Sequence, residues 1–260
     1  MPVKAERFEA VLEVVLDRPE VLNAINPELV GELAAQLDVA AGDDSIRAVM
    51  LRGEGKGFCA GGDVRMFARA LEEGDTGVPA LLPNALHAMI EKLRALPKPV
   101  VAAVHGACAG AGFSLMLACD LAVAAEGTKF NMAYTGIGLS PDGSSSYFLP
   151  RHVGMKKACE MFMAPRNMTA EEVLELGLVN RVVPAAGMLQ QARALTTMLA
   201  AGPTRAYGRV KQLLGATWTN SLHDQLALEG EYIDSMSRTD DFREGVTAFL
   251  DKRMPRFKGS

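Results

Sequence analysis

Asp142 is the one acid in "GLSPDGSSSYFLP", residues 138–150, a stretch rich in glycine, serine and apolar residues. A carboxylate in apolar surroundings loses solvation of its charged form, so its pKa rises and it becomes a stronger base. Leu139, Phe148 and Met132 are close enough in sequence to supply such surroundings. The same residues also make good turn chemistry. Pro141 presets φ, Gly143 accepts φ > 0, and Asp142 could cap a helix over Ser144–Leu149. From this stretch alone, both readings stand.

Two other segments share a design that could serve such a base. "MLRGEGKGFCAGGDVRMF" and "VVAAVHGACAGAGFSLML" each run from an apolar strand through glycines into a helix. A junction of this kind exposes backbone N–H groups at a positive helix end. Two such groups converging on one oxygen would form an oxyanion hole. Glycines that merely let helices pack closely would look the same. Other chemistries fit poorly. "GEGKGFC" has Lys56-Gly57 where a phosphate loop needs Gly-Lys-Ser/Thr. From Gly55, a G-x-G-x-x-G fingerprint ends on Ala60. "GFSLM" lacks the last glycine of a nucleophile elbow. His105 and Cys108 form one H-x-x-C pair without the second pair that a zinc site needs.

These loops require an α/β frame. "FEAVLEVVLD" (Phe8–Asp17) alternates as a strand and stops at Arg18-Pro19. Asn26-Pro27 opens a helix running to about Ala41. Strands are expected at Ile46–Gly53 and Pro99–Gly106, in "LAVAAE" and "TKFNMA", and finally in "LVNRVVP". Asp63 can cap the helix after the first glycine loop. A helix is expected from about Leu82 to Leu96, and another over Ala109–Asp120. Thr169–Glu172 forms a capping box. The expected organisation is a core over residues 1–189 and a helical region over 190–260. A net charge of -4 offers no basic footprint for nucleic acid. No apolar run reaches the ~18 residues of a membrane span, and Met1–Leu16 does not read as a signal peptide. Four scattered cysteines, Cys59, Cys108, Cys119 and Cys159, read as reduced thiols, so the expected compartment is the cytoplasm.

"DRPEVLNAINPEL", "GKGFCAGGDV", "PKPVVAAVHGACAGAGFSLMLACDLAVAAEGTKF", "GLSPDGSSSYFLPRHVG", "ELGLVNRVVP" and "EGVTAFLDKRMPRFKG" resemble the enoyl-CoA hydratase/isomerase (crotonase) family, in order and over almost the whole chain. The resemblance implies a spiral of ββα units with a helical C-terminal region that assembles trimers, often paired into hexamers. It implies an acyl-CoA thioester substrate whose carbonyl enters the two-loop oxyanion hole. No separate cofactor or metal is implied, since coenzyme A arrives as part of the substrate. Carried over residue by residue, the N–H donors fall on Ala60 and Ala111. Ala60, Gly61, Gly62 and Asp63, with Ala24 and its neighbours from Val21, resemble the wall along the coenzyme. Phe249 and Lys252 match positions that reach a neighbouring subunit's coenzyme.

The departures from the family pattern bear on the reaction. Two glutamates that hydratases carry fall on Ser114 and Tyr134, which are poor substitutes for holding and deprotonating water. Asp142 instead matches the catalytic aspartate of members that shift double bonds, and one carboxylate suits a 1,3-proton shift. The expected activity is therefore double-bond isomerisation of an enoyl-CoA. His87 resembles the catalytic histidine of 4-chlorobenzoyl-CoA dehalogenases, with Asp142 at their nucleophile. For His87 two readings stand beside that one: a packing residue on its helix, and a pocket-lining group in an isomerase. Hydration, dehalogenase-like hydrolysis and acyl-CoA binding without catalysis are the alternatives.

Overall fold

The computed structural model describes residues 1–75 and 78–260. An antiparallel hairpin, β1 (Val3–Phe8) and β2 (Val11–Leu16), opens the chain. The expected strand over Phe8–Asp17 is β2. Nothing in the sequence pattern announced β1, because only Val3 of "VKAERF" is buried. Its charged side chains suit a sheet edge, where they discourage pairing with another chain.

From there α1 (Pro27–Gly42) starts where Asn26-Pro27 predicted, with Asn26 Oδ1 accepting from the Leu29 N–H at 2.9 Å. Then follow β3 (Ala48–Gly53), α2 (Val64–Glu72), α3 (Val78–Ala95), β4 (Val100–Val104), β5 (Ala107–Ala109), α4 (Ala111–Ala118), β6 (Leu121–Ala125) and β7 (Lys129–Asn131). The rest comprises α5 (Ser145–Met163), α6 (Ala170–Glu175), β8 (Arg181–Val183), α7 (Met188–Ala200), α8 (Thr204–Ala216), α9 (Leu222–Met236) and α10 (Asp240–Leu250). The third helix begins at Val78, earlier than the expected Leu82, and takes in Pro83. That proline lies within the first two turns, where its missing N–H removes a single ladder bond.

One six-stranded sheet runs in the order β1-β2-β3-β4-β6-β8, parallel beyond the first hairpin. Its central strands are buried on both faces, as parallel strands under helices are. Val100, Ala102 and Val104 of β4 face one core with α1, α3 and α4. Val101 and Ala103 face the other core, closed by Met188, Ala192 and Leu195 of α7. A second layer pairs β5 with β7, and the backbone at Cys59 pairs in parallel with that at Cys108 beside it. Two units send one strand to the main sheet and one to the second layer before their helix, β4-β5-α4 and β6-β7-α5. This is the expected spiral of ββα units. The boundary expected between residues 189 and 190 falls inside α7, whose Ala192 and Leu195 belong to the sheet's second core. Among the described residues no helix is long and apolar enough to cross a membrane.

Candidate active site

The first glycine loop is held almost entirely by backbone and by one asparagine. Asn23 is fully buried in the left-handed region, with φ 57°. Its Nδ2 donates to the carbonyls of Glu54 at 2.9 Å and Gly57 at 2.8 Å. The segment before α1 then runs alongside the loop. The Ala60 N–H donates to Leu22 O at 3.0 Å, the Ile25 N–H to Gly61 O at 2.7 Å, and the Asp63 N–H to Ile25 O at 2.9 Å. Ala60, the expected first donor, is therefore already occupied. Among the described residues, the Gly61 N–H meets the Cys59 thiol and the free N–H at this point of the loop belongs to Gly62. Sequence reasoning missed this by two residues, because only the register against Leu22 and Ile25 decides which amide is left over.

The second loop enters its helix at Ala111. Gly110 takes φ 48° ahead of α4, its own N–H donates to Asn131 O at 2.8 Å, and Ala111 follows as the first helical residue. Among the described residues the Ala111 N–H has no acceptor, as is usual for the first turn of a helix. The two loops touch. The Cys59 N–H donates to Ala107 O at 3.1 Å, and the Ala109 N–H returns to Cys59 O at 2.9 Å. A Cβ on Gly61, which has φ 101°, would lie 3.0 Å from Ala109 O.

Gly62 and Ala111 line one cavity of about 250 Å³. Asp142 lines it too, with Phe67, Leu86, Ile137 and Leu139 supplying apolar wall. Asp142 does not cap the helix after it. The residue before α5 is Ser144, at φ 73° and without a side-chain bond to the helix. The turn is made instead by the Asp142 carbonyl, which accepts from the Ser145 N–H at 3.2 Å and from Ser145 Oγ at 2.9 Å. The carboxylate takes no part in it. Its Oδ1 is buried and has no hydrogen-bond partner among the described residues. Of the three expected apolar neighbours only Leu139 lines this cavity. Met132 sits in the main core, and Phe148 lies under the Arg94 guanidinium at 5.3 Å.

Ser114 and Tyr134, far apart in sequence, meet. Ser114 Oγ and the Tyr134 hydroxyl are 2.6 Å apart, and both side chains are buried. Burial pushes the Tyr134 hydroxyl far above the usual phenol range, with the charge of Asp142 acting in the same direction. Both groups are thus neutral hydroxyls at physiological pH. The expectation that His87 lines the pocket is corrected. Its neighbour Leu86 lines the cavity, while His87 is exposed on α3 and its Nε2 accepts from the Gly143 N–H at 3.3 Å.

The remaining expected wall residues divide. Ala60 and Gly61 line the cavity. Ala24 is buried, and its carbonyl accepts from Arg18, leaving the wall to Ile25. Asp63 serves the framework, accepting from the Arg65 and Met66 N–H groups at the start of α2 and pairing with Arg18 at 2.8 Å. Phe249 and Lys252 lie on and just after α10, outside the cavity lining, with Phe249 83% exposed. Among the described residues no cluster of three His, Cys, Asp or Glu side chains could hold a metal ion. The cysteines are free, and burial pushes the Cys59 and Cys119 thiols up to about 12, so neither is a nucleophile at neutral pH.

The family described as enoyl-CoA hydratase/isomerase matches residues 6–260. A Rhodobacter capsulatus protein named as a probable enoyl-CoA hydratase is 40% identical over 257 residues, covering 99% of this chain and 98% of its own. The 1,2-epoxyphenylacetyl-CoA isomerase of Escherichia coli is 38% identical over 253 residues, covering 96% of each. The crystal structure of an enoyl-CoA hydratase from Polaromonas sp. JS666 superposes with a TM-score of 0.94 at 38% identity, over 98% of this chain and 99% of that one.

Proposed function

The chain belongs to the enoyl-CoA hydratase/isomerase family, and from that premise we propose that it isomerises the double bond of an enoyl-CoA thioester, with Asp142 as the proton carrier. One observation carries the reading. Among the described residues, the cavity lined by Gly62 and Ala111, whose N–H groups are free, has one lining carboxylate, Asp142, and its Oδ1 is buried without a partner. The positions expected to bear a second and third acid hold the neutral Ser114–Tyr134 pair.

In this mechanism the thioester oxygen of a 3-enoyl-CoA accepts from Gly62 and Ala111. Asp142 removes a proton from C2, and the electron pair of that C–H bond moves into the dienolate. The negative charge gathers on the oxygen, where two preoriented amides stabilise it. Asp142, now protonated, returns the proton to C4, leaving the double bond between C2 and C3. No water enters, so substrate and product have the same mass. Hydration would need a group to orient and deprotonate water beside the acid that protonates carbon. The Ser114–Tyr134 pair supplies neither charge nor base at neutral pH. Arg65 and Arg69, which line a cleft of about 420 Å³ with Arg18, offer positive charge suited to the coenzyme's phosphates. Phe249 and Lys252 would meet a coenzyme held by a neighbouring subunit of a trimer or hexamer.

Turnover of 3-hexenoyl-CoA followed by mass spectrometry and chromatography tests this. The expected product is the 2-enoyl isomer at unchanged mass. Asp142→Asn should bind the thioester and lose about a hundred- to ten-thousandfold in rate, as is usual when a general acid–base group is removed. Asparagine caps and turns nearly as well as aspartate, so stability should change little. An Asp142→Asn protein that isomerises at the wild-type rate, or a product heavier by one water, refutes the reading.

A further inference from the structure

We infer that His87 and Tyr134 are positioning residues that aim the Asp142 carboxylate by holding the two poles of one peptide group. The inference rests on the reading of Asp142 as the proton carrier. The peptide group in question joins Asp142 to Gly143. Its carbonyl accepts from the Tyr134 hydroxyl at 3.2 Å, and its N–H donates to His87 Nε2 at 3.3 Å. The two contacts come from different elements: Tyr134 from the 3-10 turn at Ala133–Ile137, His87 from α3. A peptide group between an aspartate and a glycine in the left-handed region, here φ 58°, is prone to flip. Flipping exchanges its N–H and C=O directions at little steric cost, because glycine tolerates both sides. A donor fixed on one side and an acceptor fixed on the other oppose that flip.

The hydroxyl protons can be assigned consistently, with the Tyr134 proton shared at an Asp142 carbonyl that also accepts from the Ser145 N–H at 3.2 Å and Ser145 Oγ at 2.9 Å. Tyr134 and Ser114 have one hydroxyl proton each. With Tyr134 donating to Asp142 O, Ser114 donates to the Tyr134 oxygen across their 2.6 Å contact. Gly110 O, 3.2 Å from Ser114 Oγ, then still accepts from the Ser114 N–H at 3.0 Å. On the other side Nε2 takes part through its lone pair, since the Gly143 N–H can only donate. Gly143 also sits tight: a Cβ there would lie 3.1 Å from Ser114 Cβ and 3.2 Å from Leu86 Cδ2. Because backbone and neighbours do the holding, the carboxylate keeps its oxygen free for the proton.

The test compares His87→Ala, His87→Gln and Tyr134→Phe with wild type. Steady-state turnover of 3-hexenoyl-CoA is read together with amide hydrogen exchange of the segment 142–145. His87→Ala and Tyr134→Phe should each lower kcat about tenfold, the size of one lost hydrogen bond, with KM within about twofold. The glutamine carbonyl can accept from Gly143, so His87→Gln should recover most of the rate. Exchange at 142–145 should quicken in His87→Ala and return towards wild type in His87→Gln. The inference is overturned if the alanine and phenylalanine variants keep wild-type kcat while Asp142→Asn is inactive. It is equally overturned if KM rises at constant kcat, if glutamine is no better than alanine, or if exchange is unchanged. Should Asp142→Asn remain active, the proton-carrier reading fails by itself, and the exchange result still decides whether the peptide is held. Should Tyr134→Phe not fold, the exposed His87 variants decide.

Discussion

Replacing Gly112 with alanine tests whether the spacing of the two loops matters to the chemistry. Gly112 is the second residue of α4, directly after the free Ala111 amide. A Cβ at this position would lie 2.2 Å from Cys59 O, 2.7 Å from Cys59 Cβ and 2.8 Å from Cys59 C. Those are backbone and first side-chain atoms, which cannot swing away. The closest pair falls about 1 Å short of ordinary van der Waals contact, so α4 must move away from the first loop by roughly that amount. The Ala111 and Gly62 donors would then no longer converge on one oxygen. A misplacement of about 1 Å is enough to cost about a hundredfold in rate, within the hundred- to thousandfold typical of losing one oxyanion donor. Overpacking should also destabilise by about 1–3 kcal/mol. The assay is kcat/KM for 3-hexenoyl-CoA together with the melting temperature. Gly31→Ala serves as the control: it lies in α1, nothing is within 4 Å of its would-be Cβ, and it should keep full turnover while stabilising the helix by about 0.5–1 kcal/mol. A folded Gly112→Ala protein with wild-type kcat/KM would remove loop spacing, and with it the two-donor hole, from the mechanism.

Two further outcomes follow from packing and charge. Glu13 is fully buried in β2 between Arg52 at 2.6 Å and Arg193 at 2.8 Å. Burial pushes its carboxyl up, but the hydrogen bonds and charges of the two arginines outweigh it and hold the group below the usual range. Glu13→Gln should therefore cost about 3 kcal/mol in urea unfolding at neutral pH. With a lowered folded value, the stabilisation is present above the unfolded carboxylate pKa of about 4.3 and is lost as pH falls through the folded value. The variant should accordingly show a shallower acid transition below that point, and an equally steep one would contradict the assignment. Leu222, Leu226, Ile233, Phe242, Val246 and Phe249 on α9 and α10 are all more than 40% exposed. Light scattering should find a trimer or hexamer in which this face is covered, and a concentration-independent monomer would contradict it.

The fold was legible because local rules act at known positions. Asn26-Pro27 starts α1, Asp63 starts α2, and the Thr169–Glu172 capping box starts α6, each visible as residue type and spacing. The apolar runs of β4 and β6 announced strands. The edge strand β1 escaped notice because charged residues satisfied at an edge carry no hydrophobic signal.

At the candidate site, the sequence by itself determined which groups were available: two glycine junctions, one carboxylate, and two hydroxyls where acids were expected. Tertiary structure decided how each is used. Which amide stays free depends on the register between Leu22–Ile25 and the first loop, and it selects Gly62 over Ala60. Whether Asp142 turns the chain or faces the cavity depends on Ser145 and Tyr134 engaging its carbonyl. His87 became a backbone partner of Gly143 because α3 packs against that turn. A hydrogen bond is a relation between two groups, and partners tens of residues apart are paired only when the packed core brings their elements within about 3 Å.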